Sequence, residues 1–191
     1  DLLHKMYLEV DVTSTNSLIN QGKGNLGHSM IREVEISIGG QCVDKHYGEW
    51  LELWSQLTND EQSLVKNRSL TCGTLRSSNG GRKMYIPLQF WFNRNPGLAL
   101  PLIALQYHEV KLTVFLNDET AACGTSKGVT NLGMCLFCDY IFLDTDERRR
   151  FAQVSHEYLI EQLQYNNCIT VKGSETATNV ELRFNHPCKE L

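Results

Sequence analysis

At 191 residues the chain is long enough for one large β domain, or for one domain with part of another. Its 41% apolar and 21% charged content excludes general disorder. A net charge of −4, with a pI near 5.9, excludes a chain whose main task is coating nucleic acid. No apolar run reaches the roughly 18–20 residues that span a bilayer. The longest, Leu98 to Leu105, is broken by Pro101. The chain opens at Asp1, without a methionine and inside what reads as an ordered segment, so a fragment of a longer protein is expected. Its seven cysteines are odd in number and scattered, several within strand-like runs, which fits buried thiols in a reducing compartment better than a disulfide scaffold.

In chain order, Lys5 to Val12 alternates, with Met6, Leu8, Val10 and Val12 on one face of an expected strand. A polar loop follows from Thr13 to His28. Ile31 to Ile38 alternates again, with one slip that sets Glu33, Glu35 and Ser37 opposite Val34, Ile36 and Ile38. Gly39-Gly40 marks a turn into a short strand from Gln41. From Tyr47 to Leu57 the period changes: Tyr47, Trp50, Leu51, Trp54 and Leu57 recur at three- and four-residue spacing, the pattern of a short amphipathic helix. Thr58 to Lys83, with Ser77 to Gly81 inside it, reads as a long surface loop.

A three-strand unit comes next. Met84 to Phe92 is expected as a strand with Ile86, Leu88, Phe90 and Phe92 on one face and Tyr85, Gln89 and Trp91 on the other. Asn93 to Gly97 turns the chain, Leu98 to Leu105 is a second apolar strand, and Gln106 to Leu116 is a third, with Val110, Leu112, Val114 and Leu116 inward. A second loop, Asn117 to Asn131, leads to a strand from Met134 to Leu143. Asp144, three residues before Glu147, starts a helix over 145–164. Strand-like Cys168 to Lys172 and Val180 to Phe184 close the chain. No internal repeat is present. Short strands between long polar loops, without alternating strand and helix units, point to a two-sheet antiparallel sandwich of jelly-roll type.

The chemical motifs are weak. Cys135 and Cys138 have metal-ligand spacing, but residues three apart on a strand face opposite ways and nothing completes the set. Gly124 to Gly128 lacks the spacing of a phosphate-binding loop. His108-Glu109 and His156-Glu157 lack the second histidine of a zinc-protease helix. Glu33 and Glu35 share a strand face, which is the solvated side of a sheet more often than a glycosidase pair. Arg148 to Arg150 reads as the charged flank of a helix. Asn67-Arg68-Ser69 is a glycosylation sequon in the expected surface loop, making Asn67 the one candidate modification site. No catalytic, cofactor-binding or metal-binding residue is assigned, and no cofactor is expected. A jelly-roll carbohydrate-binding module and a jelly-roll hydrolase are the alternatives from other functional classes. Neither finds its calcium-binding loop or its converging carboxylates here.

Five stretches carry a resemblance: DLLHKMYLEVDV, IGGQCVDKHYGEWLELWSQLT, YIPLQFWFNRNPGLALPLIALQYHEVKLTV, DYIFLDTDERRRFAQVSHEYLIEQ and LRFNHPCKEL. In this order they resemble the major capsid protein of nucleocytoplasmic large DNA viruses, the group of phycodnaviruses, iridoviruses and mimivirus relatives. The resemblance covers most of the chain and leaves only loops unmatched. It implies a double jelly roll of two eight-stranded sandwiches. On it, residues 1–144 are the first roll lacking its opening strand, 145–179 the connection between rolls, and 180–191 the start of the second roll. It further implies a non-enzymatic structural role in the virion capsid, as homotrimers of pseudo-hexagonal outline that tile an icosahedral shell after synthesis and assembly in the host cytoplasm. The implied partners are other copies of the chain, neighbouring capsomers and minor capsid proteins, with no direct nucleic-acid binding and no membrane span.

Overall fold

Alternation in the first strand sets the layering. The structure, a computed structural model, describes residues 1–14, 25–72, 80–124, 128–166, 169–171, 173 and 177–190. Strand β1 (Leu2–Ser14) buries Met6, Leu8, Val10 and Val12 on one side, as the period of two requires. After it come α1 (Leu26–Met30), β2 (Ile31–Ile38), β3 (Gln41–Tyr47), α2 (Gly48–Thr58), α3 (Glu61–Leu70) and β4 (Gly80–Pro87). The chain continues through α4 (Trp91–Arg94), the two-residue β5 (Leu100–Pro101), β6 (Val110–Leu116), α5 (Glu119–Cys123), β7 (Val129–Ile141) and α6 (Thr145–Gln153).

Two antiparallel sheets face each other. In the first, β1 is central, with β7 along one edge and β4 and β5 along the other. In the second the order is β3-β2-β6. Gly39 and Gly40, both at positive φ, form the tight β2–β3 turn that their dipeptide predicts. The slip in the β2 alternation is real: the β2–β6 register shifts between Ile31 and Glu33. Between the sheets Val34, Ile36, Met84, Ile86, Leu88, Phe90 and Phe92 pack with the buried side of β1. The fold is thus a jelly-roll-type sandwich with an inserted helix where the Tyr47–Leu57 period placed one.

Several boundaries differ from expectation. The strand expected over Met84 to Phe92 ends at Pro87, which has no N–H to continue the ladder. Beyond it Asn93 accepts from Phe90 N with its side chain at 3.1 Å and donates to His4 O, turning the chain into α4. That turn swings Trp91 from the expected outer face into the core. The apolar run Leu98 to Leu105 yields only β5, because Pro101 again cuts the ladder and turns follow. The third strand starts at Val110 rather than Gln106. The expected loop Thr58 to Lys83 contains α3, capped by Asp60, which accepts from Ser63 N; none of its residues is buried, so it carries no apolar stripe to read. Residues 73–79 of that loop lie outside the described residues.

The late helix closes at Gln153 rather than at residue 164. Asp144 does cap it, accepting from Glu147 N at 2.9 Å. From Val154 the backbone is extended, and its side chains reach back to the sandwich: Glu161 to Arg94, Gln162 to Val43 O, and Tyr165 to the Tyr47 ring. A helix rises about 1.5 Å per residue against about 3.3 Å for extended chain, so only the extended form spreads these contacts along the edge of β3 and α2. The described residues 169–171 and 180–184 form no strand. Cys168 and Lys172 lie outside the described residues.

Candidate assembly surface

The residues weighed for chemistry do not converge. Glu33 and Glu35 do share a face, and Lys45 from β3 bridges both, 3.5 Å from Glu33. Its hydrogen bond to the Glu35 carboxylate raises the Lys45 ammonium above its ordinary value. This is a neutralised ladder on the outer side of the second sheet. Cys135 is exposed and Cys138 half-buried, and burial pushes the Cys138 thiol up, away from reactivity. His156 donates to Phe151 O at 2.8 Å and stacks on that ring. His108 packs beneath the β2–β3 turn, its Nδ1 2.9 Å from where a Cβ on Gly39 would sit. Arg148 clasps Asp1 with two nitrogens at 2.7 and 2.9 Å, tying α6 to the start of β1. Asn67 sits on α3 rather than in a loop, and its Oδ1 is buried without a hydrogen-bond partner among the described residues. Residues 125–127 of the glycine-flanked loop lie outside the described residues. Among the described residues no three His, Cys, Asp or Glu side chains group as a metal site, and no helix is long and apolar enough to cross a membrane.

What the structure presents instead is unfinished sheet. In the first sheet β7 pairs only with β1, and in the second β6 pairs only with β2 among the described residues. Leu132, Met134 and Leu136 stand opposite Val12, Val10 and Leu8 in register, so they project to the same side. Yet the β1 residues are 2%, 1% and 4% exposed, whereas Leu132, Met134 and Leu136 are 39%, 37% and 43% exposed. The first sheet therefore overhangs the second by one strand. At one end of the overhang lies an apolar cavity of about 110 Å³, lined by Val12, Leu116, Val129 and Leu132 among others.

A second surface is built by the extended segment after α6. Glu161 lies 3.4 Å from Arg94 and 2.7 Å from Lys189, and Lys189 first, then Arg94, holds its carboxyl below the usual range. Arg94 in turn lies 5.0 Å from the centre of the Trp54 ring on α2. Gln164 clasps the backbone of Asn185, donating to its O at 2.6 Å and accepting from its N at 2.9 Å. Sequence patterning missed these residues because each acts through one long-range contact, with no period to betray it.

Comparisons with known proteins show the family. Residues 1–144 match the family described as the major capsid protein N-terminus, and residues 147–191 match the large eukaryotic DNA virus major capsid protein. The chain is 49% identical over 200 residues to the major capsid protein of Pyramimonas orientalis virus, covering all of this chain and 48% of that protein. It is 45% identical to the major capsid protein of Paramecium bursaria Chlorella virus 1, covering 85% of this chain and 39% of that one. Capsid protein 1 of Acanthamoeba polyphaga mimivirus is 44% identical over 87% of this chain and 32% of its own. Among solved structures, the quasi-atomic model of the PBCV-1 virus capsid superposes with a TM-score of 0.82 at 38% identity, over 98% of this chain and 47% of that chain. The chain spans about half the length, or less, of these relatives. With its two facing sheets and its family match from residue 1 to residue 144, the chain belongs to the major capsid proteins of large eukaryotic DNA viruses.

Proposed function

We propose that this chain is the first jelly roll of a double-jelly-roll capsid protein, with the connection to the second roll and that roll's first residues. The observation that carries the reading is the pair of open edges. A strand added to β6 lies under the bare row Leu132, Met134 and Leu136, and one added to β7 closes the first sheet. The extended segment beyond α6 serves as the connection, fastened to the first roll through Arg94, Val43 and Tyr47.

The role is structural, without catalysis. A shell needs rigid scaffolds, large contacts between copies and loops free to vary. The complete protein forms homotrimers that pack with neighbouring capsomers and minor capsid proteins in the virion, after assembly in the host cytoplasm. Glycan attachment at Asn67 is part of the same proposal, since α3 is an exposed insertion; peptide mass spectrometry of virions reads it directly. Light-scattering mass of the full-length protein tests the whole reading. A mass of three chains supports it, and a stable monomer with measurable glycan binding or hydrolase turnover overturns it.

A further inference from the structure

Helix α2 is attached to the sandwich through a narrow set of contacts: Leu51 lies in the core and Trp50 packs against it. Its buried residues are Gly48, Leu51 and Ser55, while Leu53 and Leu57 stand 54% and 74% exposed. The His28–Glu52 pair adds a polar tie, and Trp50 rests on the ring of His46, whose carboxylate neighbour Asp44 lies on the same strand. On one side the Glu52 carboxylate accepts from Nδ1 of His28 on α1 at 2.6 Å and from Gln56 at 2.8 Å. On the other, Trp50 lies over the His46 ring with centroids 4.5 Å apart, and Phe90 stacks on that ring, also at 4.5 Å. His46 Nε2 is 3.0 Å from Asp44 Oδ2, and both side chains are shut off from solvent. The contact is close but off hydrogen-bond alignment: neither Asp44 Oδ2 nor His46 Nδ1 makes a hydrogen bond among the described residues. Asp44 and His46 are two apart on β3 and so both face the core.

We propose that α2, with α3 behind it, is an acid-released arm: loss of the Glu52 carboxylate charge leaves buried His28 without its partner across the α1–α2 contact, and the arm lifts before the sheets melt. While the carboxylates are ionised, a histidine that takes up a proton becomes half of an ion pair and stays in place. Once the carboxyls are neutral, the same imidazolium sits uncompensated among apolar side chains, a far costlier arrangement. The charged neighbours are few. Glu52 faces His28 from α1 and feels Arg68 from α3; His46 faces Asp44 from its own strand and the rings of Trp50 and Phe90. Glu49 on α2 is exposed, and Arg94 against Trp54 is engaged by Glu161. Lys45, Glu33 and Glu35 form their own cluster on the outer face of the sheet.

The sign follows from Glu52. The His28 hydrogen bond, ahead of Gln56, holds its carboxyl below the ordinary glutamate value. The stability it contributes is present above that ordinary value, about 4.3, and is lost as pH falls through the lowered one. The release is independent of the shell-building reading.

Hydrogen exchange of the full-length protein, corrected for intrinsic rates, across about pH 7 to about pH 3.5 tests it. Peptides from 48–70 are expected to lose protection at higher pH than peptides from 2–14. In Glu52→Gln, His28 has no carboxylate to pair with, so release is expected at a higher pH than in the wild type. Adding His28→Gln, which removes the buried imidazole, is expected to return release toward the wild-type pH. Loss of protection in 48–70 and 2–14 at the same pH in the wild type overturns the proposal. So does release of Glu52→Gln at the wild-type pH.

Discussion

At Gly48 a single added methyl group meets backbone on two sides. A Cβ there would lie 2.1 Å from His28 O and 2.3 Å from Ile31 O, and neither carbonyl can step aside without moving α1 or the start of β2. Gly48→Ala is therefore expected to cost about 3 kcal/mol or more, read as a shift in the urea midpoint at unchanged slope. Phe90→Ala removes a fully buried ring from between His46 and Phe92 and is expected to cost about 3–5 kcal/mol in the same measurement. Glu161 is a contrast. It is half exposed, and its pairs with Arg94 and Lys189 are screened by water. Glu161→Gln should change global stability by no more than about 1 kcal/mol, an effect that fades in high salt.

Among the elements, β7 carries the sharpest expectation. Met134→Lys with Leu136→Lys places two charges where the first sheet overhangs. In the isolated 191-residue chain these side chains are more than a third exposed, so the pair should raise soluble yield with little loss of stability. If, as proposed, an added strand covers the row in the full-length protein, the same pair should cost about 2 kcal/mol or more there and lower the melting temperature. Equal effects in both contexts would remove the covering strand from the account. The elements also show what could be read in advance. The alternation of Met6 to Val12, the slip in β2, the Gly39-Gly40 turn and the α2 period were legible because each is a local pattern that core burial preserves. Helix α3 was not, because it buries nothing. The end of α6 was not either, because contacts to Arg94, Val43 and Tyr47 override a helix-compatible sequence. The open edges and the two histidine pairs under α2 emerge only when distant segments are placed side by side.

For the molecule as a whole, unpaired edges on both sheets predict that the 191-residue chain expressed alone is poorly soluble. A soluble, cooperatively melting monomer in ultracentrifugation would count against the truncated-roll reading. The position of β1 has a consequence in time. It is made before the strands that flank it: β4 reaches it from some seventy residues downstream and β7 from well over a hundred. At roughly 5–20 residues per second of synthesis, β1 leaves the ribosome on the order of ten seconds before β7 exists to cover its flank. Until β4 follows, Met6, Leu8, Val10 and Val12 form an apolar ribbon without the strand that pairs with it.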